Sequence, residues 1–195
     1  TILGTMAGLA LTQMGRYRGR LIFTGLIAAP LVMPEVITGL SLLLMFVSLQ
    51  ELIGWPVSRG ASTITIAHIT FSMAYVAVIV QSRLGSMDQS MEEAAMDLGG
   101  RPMQVAFDIT LPLIAPSMLS GWLLAFTLSL DDLVIASFTS GAGASTLPMV
   151  IFSKIKLGVT PDINALATLI IGTVSIGILL ASWVIFKQNK RHKEG

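Results

Sequence analysis

The chain has 195 residues, of which 53% are hydrophobic and only 12% are charged, and its formal net charge is +1. A soluble domain carries about 25% charged residues, so this composition predicts an integral membrane protein. The sequence has no basic stripe interleaved with aromatic residues, which argues against a nucleic-acid partner. It also has no cysteine, which excludes disulfides and thiolate metal sites.

The apolar segments, in chain order, predict five membrane spans joined by polar loops. Residues 1–14 are shorter than the ~20 residues that a spanning helix needs, so we expect an N-terminally incomplete chain with a partial first span. Pro30 and Pro34 should kink or break the second span. The sequence therefore predicts an all-α, polytopic membrane protein in one domain, 1–195. Its other spans are predicted at residues 21–49, 63–82, 116–140 and 163–186, with a polar segment at 83–115.

The distribution of Lys and Arg predicts the orientation of these spans. Alternate loops fall into two groups, and one of them carries only Arg59, Lys154 and Lys156. Because cytoplasmic loops carry an excess of basic residues, we expect the other group, with the 83–115 segment and the C-terminus, in the cytoplasm. The basic residues of that group are Arg16, Arg18, Arg20, Arg83, Arg101, Lys187, Lys190, Arg191 and Lys193.

The segment 90–100, Ser-Met-Glu-Glu-Ala-Ala-Met-Asp-Leu-Gly-Gly, predicts a short amphipathic helix on the cytoplasmic surface. Ser90 and Glu93 have the spacing of a capping box, and the glycine pair supplies a C-terminal stop. The small apolar residues of one face permit close approach by a partner, although a helix lying on the membrane interface is an alternative. A second short helix should start at Pro102 and end before Leu111.

Three carboxylates, Glu35, Asp131 and Asp132, fall within the predicted spans. Counted from the starts of their spans, they lie about 21 Å into an apolar core of about 30 Å. Ionisable residues are costly at this depth and mark substrate pathways, so we expect a partly hydrated, anionic path for a cation. Either aspartate could instead pair with a basic residue of a partner subunit or cap a break in the helix. Adjacent helical positions point about 100° apart, so the two aspartates should not share one role.

The spacing around residues 93–112 carries a resemblance to a known family. Glu93-Ala94-Ala95, then Gly99, then Ile109-Thr110-Leu111-Pro112 resembles the signature of inner-membrane permeases of bacterial ABC importers. Residues 29–39, 129–138 and 161–169 extend the resemblance to polyamine importers, and more to the putrescine type than to the spermidine type. This implies the type I ABC importer permease fold and a location in the bacterial inner (plasma) membrane.

The resemblance also implies a function, partners and site residues. The chain is expected to form the translocation pathway of an ATP-driven importer for polyamines, which works by alternating access. The expected substrate is putrescine. The sequence lacks G-x-x-x-x-G-K-[ST], so ATP hydrolysis should belong to a partner, and we expect no catalytic residue, cofactor or metal. The expected partners are a homologous second permease, an ABC ATPase dimer, a periplasmic substrate-binding protein, the polyamine and membrane lipid. The expected ATPase-coupling residues are Glu93, Ala94, Ala95, Asp97, Leu98 and Gly99, and the expected pathway residues are Asp131, Asp132 and Glu35.

Three alternative functions stay open at the level of sequence. The same importer class could carry spermidine or another organic cation. The chain could be an ion-coupled secondary transporter, with Asp131 and Asp132 as proton or cation sites. It could also be a structural membrane subunit without transport.

Overall fold

The computed structural model describes residues 1–15, 17–88, 90–158, 161 and 163–176. It divides into two units, Thr1–Pro148 and Met149–Gly195. The described residues form helices and loops without a strand, which confirms the all-α prediction. Arg16, the basic C-terminal tail and the end of the predicted span 163–186 lie outside the described residues.

The first unit is built from helices joined by short loops. The helix α9 (Leu147–Leu157) begins at the end of this unit, and α10 (Ile163–Ile176) belongs to the second. Within α9, the Lys156 ammonium lies 4.7 Å from the centroid of the Phe152 ring. The helical elements that precede α9 are α1 (Ile2–Gln13), α2 (Arg20–Val32), α3 (Glu35–Ile53), α4 (Ala61–Gly85), α5 (Ser90–Asp97), α6 (Pro102–Val105), a π-helical turn (Ala106–Thr110), α7 (Leu111–Asp131) and α8 (Val134–Thr139).

Within the described residues, three helical segments are long and apolar enough to cross a membrane. They are α3, α4 and the continuous segment Pro102–Asp131, which comprises α6, the π turn and α7. The helices α1, α2 and α10 are apolar but shorter. Many large apolar side chains on the outside of the helices are exposed, Leu21 and Val32 among them. An apolar surface of this extent is typical of a protein that faces lipid or partner subunits.

The segment predicted as one span at 21–49 consists of two helices. As Pro34 predicts, α2 ends at Val32 and α3 begins at Glu35. Met33 is extended, with φ −77° and ψ 137°, because the ring of Pro34 disfavours the helical conformation of the residue before it. Pro30 lies inside α2 and does not end it.

The prediction that a second short helix ends before Leu111 was wrong. The helix that starts at Pro102 continues through the π turn into α7 and ends only at Asp131. The missing N–H of Pro112 falls in the first turn of α7, directly after the π turn. At this point the regular hydrogen-bond ladder is already shifted by one residue, so the proline does not break the helix.

The helix α4 is the centre of the first unit. It packs against α1, α2, α7 and α8, and half of the residues in its apolar 18-residue stretch are buried. Its inward side carries small residues, Ala67, Ala74 and Ala77, which are fully buried and allow the neighbouring helices to approach closely. The core thus forms around one central helix.

A close helix contact joins α1 to α4 through two glycines four residues apart. A Cβ added at Gly4 would lie 2.6 Å from Val76 Cβ, and one added at Gly8 would lie 3.0 Å from a methyl carbon of Val80. This spacing is the small-residue pattern of closely packed membrane helices. Gly4 and Gly8 carry this signal in the sequence, where it was not recognised.

Candidate substrate pathway and coupling surface

The two adjacent aspartates lie at a break in the helix. The helix α7 ends at Asp131, and α8 begins at Val134. The Asp132 carboxylate accepts hydrogen bonds from the backbone N–H groups of Ile135, at 3.1 Å, and Ala136, at 2.7 Å. Asp132 therefore caps α8 and satisfies two donors that a helix start leaves without partners. The single span predicted at 116–140 is interrupted at this point.

His68 of α4 connects both sides of this break. Its Nε2 lies 3.0 Å from Asp132 Oδ2, and its Nδ1 lies 2.7 Å from Ser129 Oγ. One neutral tautomer satisfies both contacts, because Nε2–H can donate to the carboxylate while Nδ1 accepts from the serine hydroxyl. The His68 and Asp132 side chains are 12% and 6% exposed. A single sequence carries no signal for this pairing, because the two residues are far apart in the chain.

The far end of α8 is also held by hydrogen bonds. The Thr63 hydroxyl donates to the carbonyl oxygen of Thr139 at 2.7 Å. The Arg59 guanidinium donates to the carbonyl oxygen of Phe138 at 3.3 Å, where a cation is favourable to a helix C-terminus. This six-residue helix is thus fixed at both ends by side chains from the N-terminal part of α4 and the loop before it.

Glu35 lies near the same break, on α3. Gly39, one turn after Glu35, packs closely against α8: an added Cβ would lie 2.7 Å from the Phe138 ring and 3.4 Å from the Cα of Ile135. Glu35 and Asp131 are exposed, whereas Asp132 is turned inward. Glu35 therefore lies about one helical turn from the α3–α8 contact, and Asp131 ends α7 directly before the break.

A cavity of about 610 Å³ lies beside His68 and Ser129. Its walls include Trp122 and Phe126, whose rings stack with centroids 5.7 Å apart. The three candidate carboxylates are not among its lining residues. Among the described residues, no cluster of three His, Cys, Asp or Glu side chains could hold a metal ion.

The predicted coupling helix is present as α5, and its glycine stop is confirmed. Gly99 has φ +91°. Its N–H donates to the carbonyl oxygen of Met96, and the N–H of Gly100 donates to the carbonyl oxygen of Ala95. This is the Schellman arrangement that ends a helix. The predicted capping box is wrong, because Ser90 is already helical and its N–H donates to the Asp88 carboxylate at 3.0 Å. This bond lowers the pKa of Asp88.

Five of the six predicted coupling residues are exposed, on α5 or directly after it. Leu98 is 91% exposed. Ala95 is half-buried, and the remaining members, Glu93, Ala94, Asp97 and Gly99, are exposed. The helix rests on α6 and the π turn, at the edge of a groove of about 380 Å³. An apolar residue exposed on a short helix offers a contact for a partner.

Residues 1–193 match the family described as binding-protein-dependent transport system inner membrane component. The putrescine transport system permease protein PotI of Escherichia coli (strain K12) is 60% identical over 190 residues, which cover 97% of this chain and 68% of that protein. The spermidine/putrescine transport system permease protein PotC of Haemophilus influenzae (strain ATCC 51907 / DSM 11121 / KW20 / Rd) is 40% identical, over 97% of this chain and 70% of that protein. PotC of Escherichia coli (strain K12) is 36% identical, over 100% of this chain and 71% of that protein.

These matches confirm the resemblance that the spacing from Glu93 to Pro112 predicts. The helical architecture and the three membrane-spanning segments agree with them. The chain therefore belongs to the family of inner-membrane components of binding-protein-dependent transport systems, and it is a transport permease rather than an enzyme.

Proposed function

We propose that this chain is the permease subunit of an ATP-driven importer for polyamines and that its substrate is putrescine. The named substrates of its relatives support the polyamine class, and the higher identity of the putrescine permease favours putrescine. By the same similarity, its partners are a homologous second permease, an ABC ATPase dimer and a periplasmic substrate-binding protein. The excess of Lys and Arg supports a cytoplasmic location for α5 and the C-terminus.

The observation that carries this proposal is the pair of exposed carboxylates, Asp131 and Glu35, beside a helix break in apolar sequence. Putrescine carries two ammonium groups at neutral pH. Carboxylates replace part of the hydration that these groups lose in the membrane and compensate their charge. Asp131 and Glu35 contact the cation, while Asp132 belongs to the same pathway and fixes the helix break at its edge.

The mechanism is alternating access driven by the ATPase subunits. The outer side of α5, with Glu93, Ala94, Ala95, Asp97, Leu98 and Gly99, docks on the ATPase dimer. Closure of that dimer on ATP moves α5 and reorients the helices around the pathway. ATP supplies the energy because it binds the closed dimer more tightly than the open one.

The test is labelled putrescine uptake by the complete importer in proteoliposomes, with Asp131→Asn and Glu35→Gln as variants. Loss of one charge-assisted contact with an ammonium should raise the KM for uptake about tenfold or more. The matched control is Glu51→Gln, since Glu51 is an exposed carboxylate at the other end of α3. Amounts of assembled ATPase are compared in every sample.

Unchanged uptake in both variants would refute the carboxylate pathway. Spermidine is added as competitor, and wild-type importer that takes up spermidine in preference to putrescine would overturn the choice of substrate. Uptake that follows an ion gradient and survives loss of ATP hydrolysis would instead establish a secondary transporter.

A further inference from the structure

Glu92 faces the protein and is less exposed than its neighbours on α5, Met91 and Glu93. Its side chain is half-buried, whereas Glu93 and Ala94 are exposed and Leu98 is almost fully exposed. A surface helix of a globular protein normally turns its apolar side inward and its charges outward. Here a partly buried carboxylate is on the inner side, and the loss of hydration on burial is offset where the group is hydrogen-bonded.

The partners of this carboxylate come from two different helices. Glu92 Oε1 accepts a hydrogen bond from the Thr110 hydroxyl at 2.5 Å and another from Gln13 Nε2 at 2.9 Å. Thr110 is 1% exposed and ends the π turn, and Gln13 ends α1. Bonds to an ionised acceptor are roughly twice as strong as neutral ones. One oxygen atom therefore holds α5 to both α1 and the start of α7. We call these contacts of Glu92 with Thr110 and Gln13 the Glu92 link.

Both helices at the Glu92 link continue into the part of the unit that carries the pathway residues. The helix α7 runs from the π turn to Asp131. The helix α1 is packed tightly on α4 at Gly4 and Gly8, and α4 carries His68, which holds Asp132. A displacement of α5 that preserves the Glu92 link must move the ends of α1 and α7 with it, because packed helices transmit displacement rather than absorb it.

We propose that Glu92 is the positioning residue through which α5 moves α1 and α7, so that it connects ATPase closure to the carboxylate pathway. This proposal rests on the proposed function of α5 as the ATPase-docking helix. It assigns the docking side of α5 to the ATPase and the Glu92 side to the permease.

The experiment uses the complete importer in proteoliposomes and measures putrescine imported per ATP hydrolysed. Glu92→Ala and Thr110→Val remove the Glu92 link, and each should lower this ratio about tenfold, the size expected when a charge-assisted hydrogen bond is lost. Glu92→Gln and Thr110→Ser keep an acceptor and a donor, so their ratios should stay within about twofold of wild type. The double variant Glu92→Ala/Thr110→Val should be no worse than either single variant. Glu51→Ala is the control for removal of an exposed carboxylate.

A second readout does not depend on the substrate. The sequence contains no cysteine, so Ser137→Cys places one thiol on the exposed side of α8. Its rate of modification should change on addition of ATP and vanadate in the wild-type background and should stay constant with Glu92→Ala. The same ATP-dependent change in both backgrounds would overturn the proposal.

Two further outcomes separate the Glu92 link from the proposed function. Wild-type importer without ATP-driven putrescine uptake would contradict the proposed substrate, and the thiol readout would still test the Glu92 link. Loss of the ATPase subunits from purified Glu92→Ala importer would show that Glu92 serves docking, which contradicts its assignment to the permease side.

Discussion

Asp131 and Asp132 are adjacent in the sequence and have different surroundings. Asp132 accepts hydrogen bonds from His68, Ile135 and Ala136 and is nearly buried, whereas Asp131 is exposed at the last position of α7. The helix break accounts for the difference, because it lets one carboxylate turn back to cap α8 while the other stays on the end of α7. At the scale of the residue, the pair therefore separates the structural role of Asp132 from the cation contact that we propose for Asp131.

Substitution to alanine should separate these two roles. Asp132→Ala removes a cap and leaves buried donors without an acceptor, so it should destabilise the protein by about 1–3 kcal/mol. His68→Ala should cost less, because the two backbone bonds to Asp132 remain. Asp131→Ala should leave stability unchanged. Thermal unfolding of the detergent-solubilised importer measures these effects, and equal destabilisation by the two aspartate variants would contradict the division.

The residue types of the site were predictable, but their partners were not. Glu35, Asp131 and Asp132 are recognisable because carboxylates are rare in apolar sequence. The inward turn of Asp132 depends on His68 and on a break two residues wide, and neither follows from periodicity. Glu92 escaped notice because its position in the pattern groups it with the exposed Glu93, and only the Thr110 and Gln13 contacts distinguish the two.

At the scale of the element, the contact between α1 and α4 depends on the absence of side chains at two positions. Gly4 faces Val76 Cβ and the carbonyl oxygen of Met73, which an added Cβ would approach to 2.6 and 2.7 Å. Gly8 has slightly more room, with its nearest atoms at 3.0 and 3.1 Å. A backbone carbonyl cannot move aside without displacing the whole helix, so the tighter site should be the more sensitive one.

We expect Gly4→Ala to destabilise the subunit by about 1–3 kcal/mol through overpacking, and Gly8→Ala to cost less. Gly25→Ala is the control, because Gly25 lies inside α2 with no atom within 4 Å of an added Cβ. Removing a flexible glycine from that helix should be neutral or slightly stabilising. The amount of folded subunit in the membrane and its thermal unfolding give the ranking. A result in which Gly25→Ala is the most harmful of the three would contradict this account of the interface.

At the scale of the whole molecule, the outer side of α5 is unpaired within the described part of the chain. Leu98 is 91% exposed, although the hydrogen bond between Glu92 and Thr110 anchors the same helix to the protein. Full burial of an exposed leucine side chain is favourable by about 1.5–3 kcal/mol. The ATPase-docking role that we propose for α5 would bury this side chain.

Leu98→Asp should therefore weaken association with the ATPase subunits by about 30-fold or more, the effect of losing an interface residue worth about 2 kcal/mol. Val57→Asp serves as the control, because Val57 is similarly exposed in the loop between α3 and α4. Co-purification of the ATPase with the tagged permease measures the association. Full retention of the ATPase by Leu98→Asp would show that the docking surface lies elsewhere.

The fold class and the family were accessible from the sequence, since long apolar helices and the spacing from Glu93 to Pro112 depend only on local order. The continuity of the segment Pro102–Asp131 was not, because Pro112 is ordinarily a helix breaker and the polar sequence before it resembles a loop. A 3.6-residue period cannot be followed through a turn of different pitch.

That turn determines which side chains of a 30-residue helix lie on the same side. In a regular α-helix, residues five positions apart such as Val105 and Thr110 would point about 140° away from each other. The wider π turn nearly aligns residues at this spacing. Val105, Thr110 and Ile114 are accordingly all buried, and so is Gly121 on α7. Removal of one residue between positions 106 and 110 would leave Val105 and Thr110 four positions apart. In a uniform α-helix these residues would point only about 40° away from each other, so the two ends of the segment would stay in phase without the π turn.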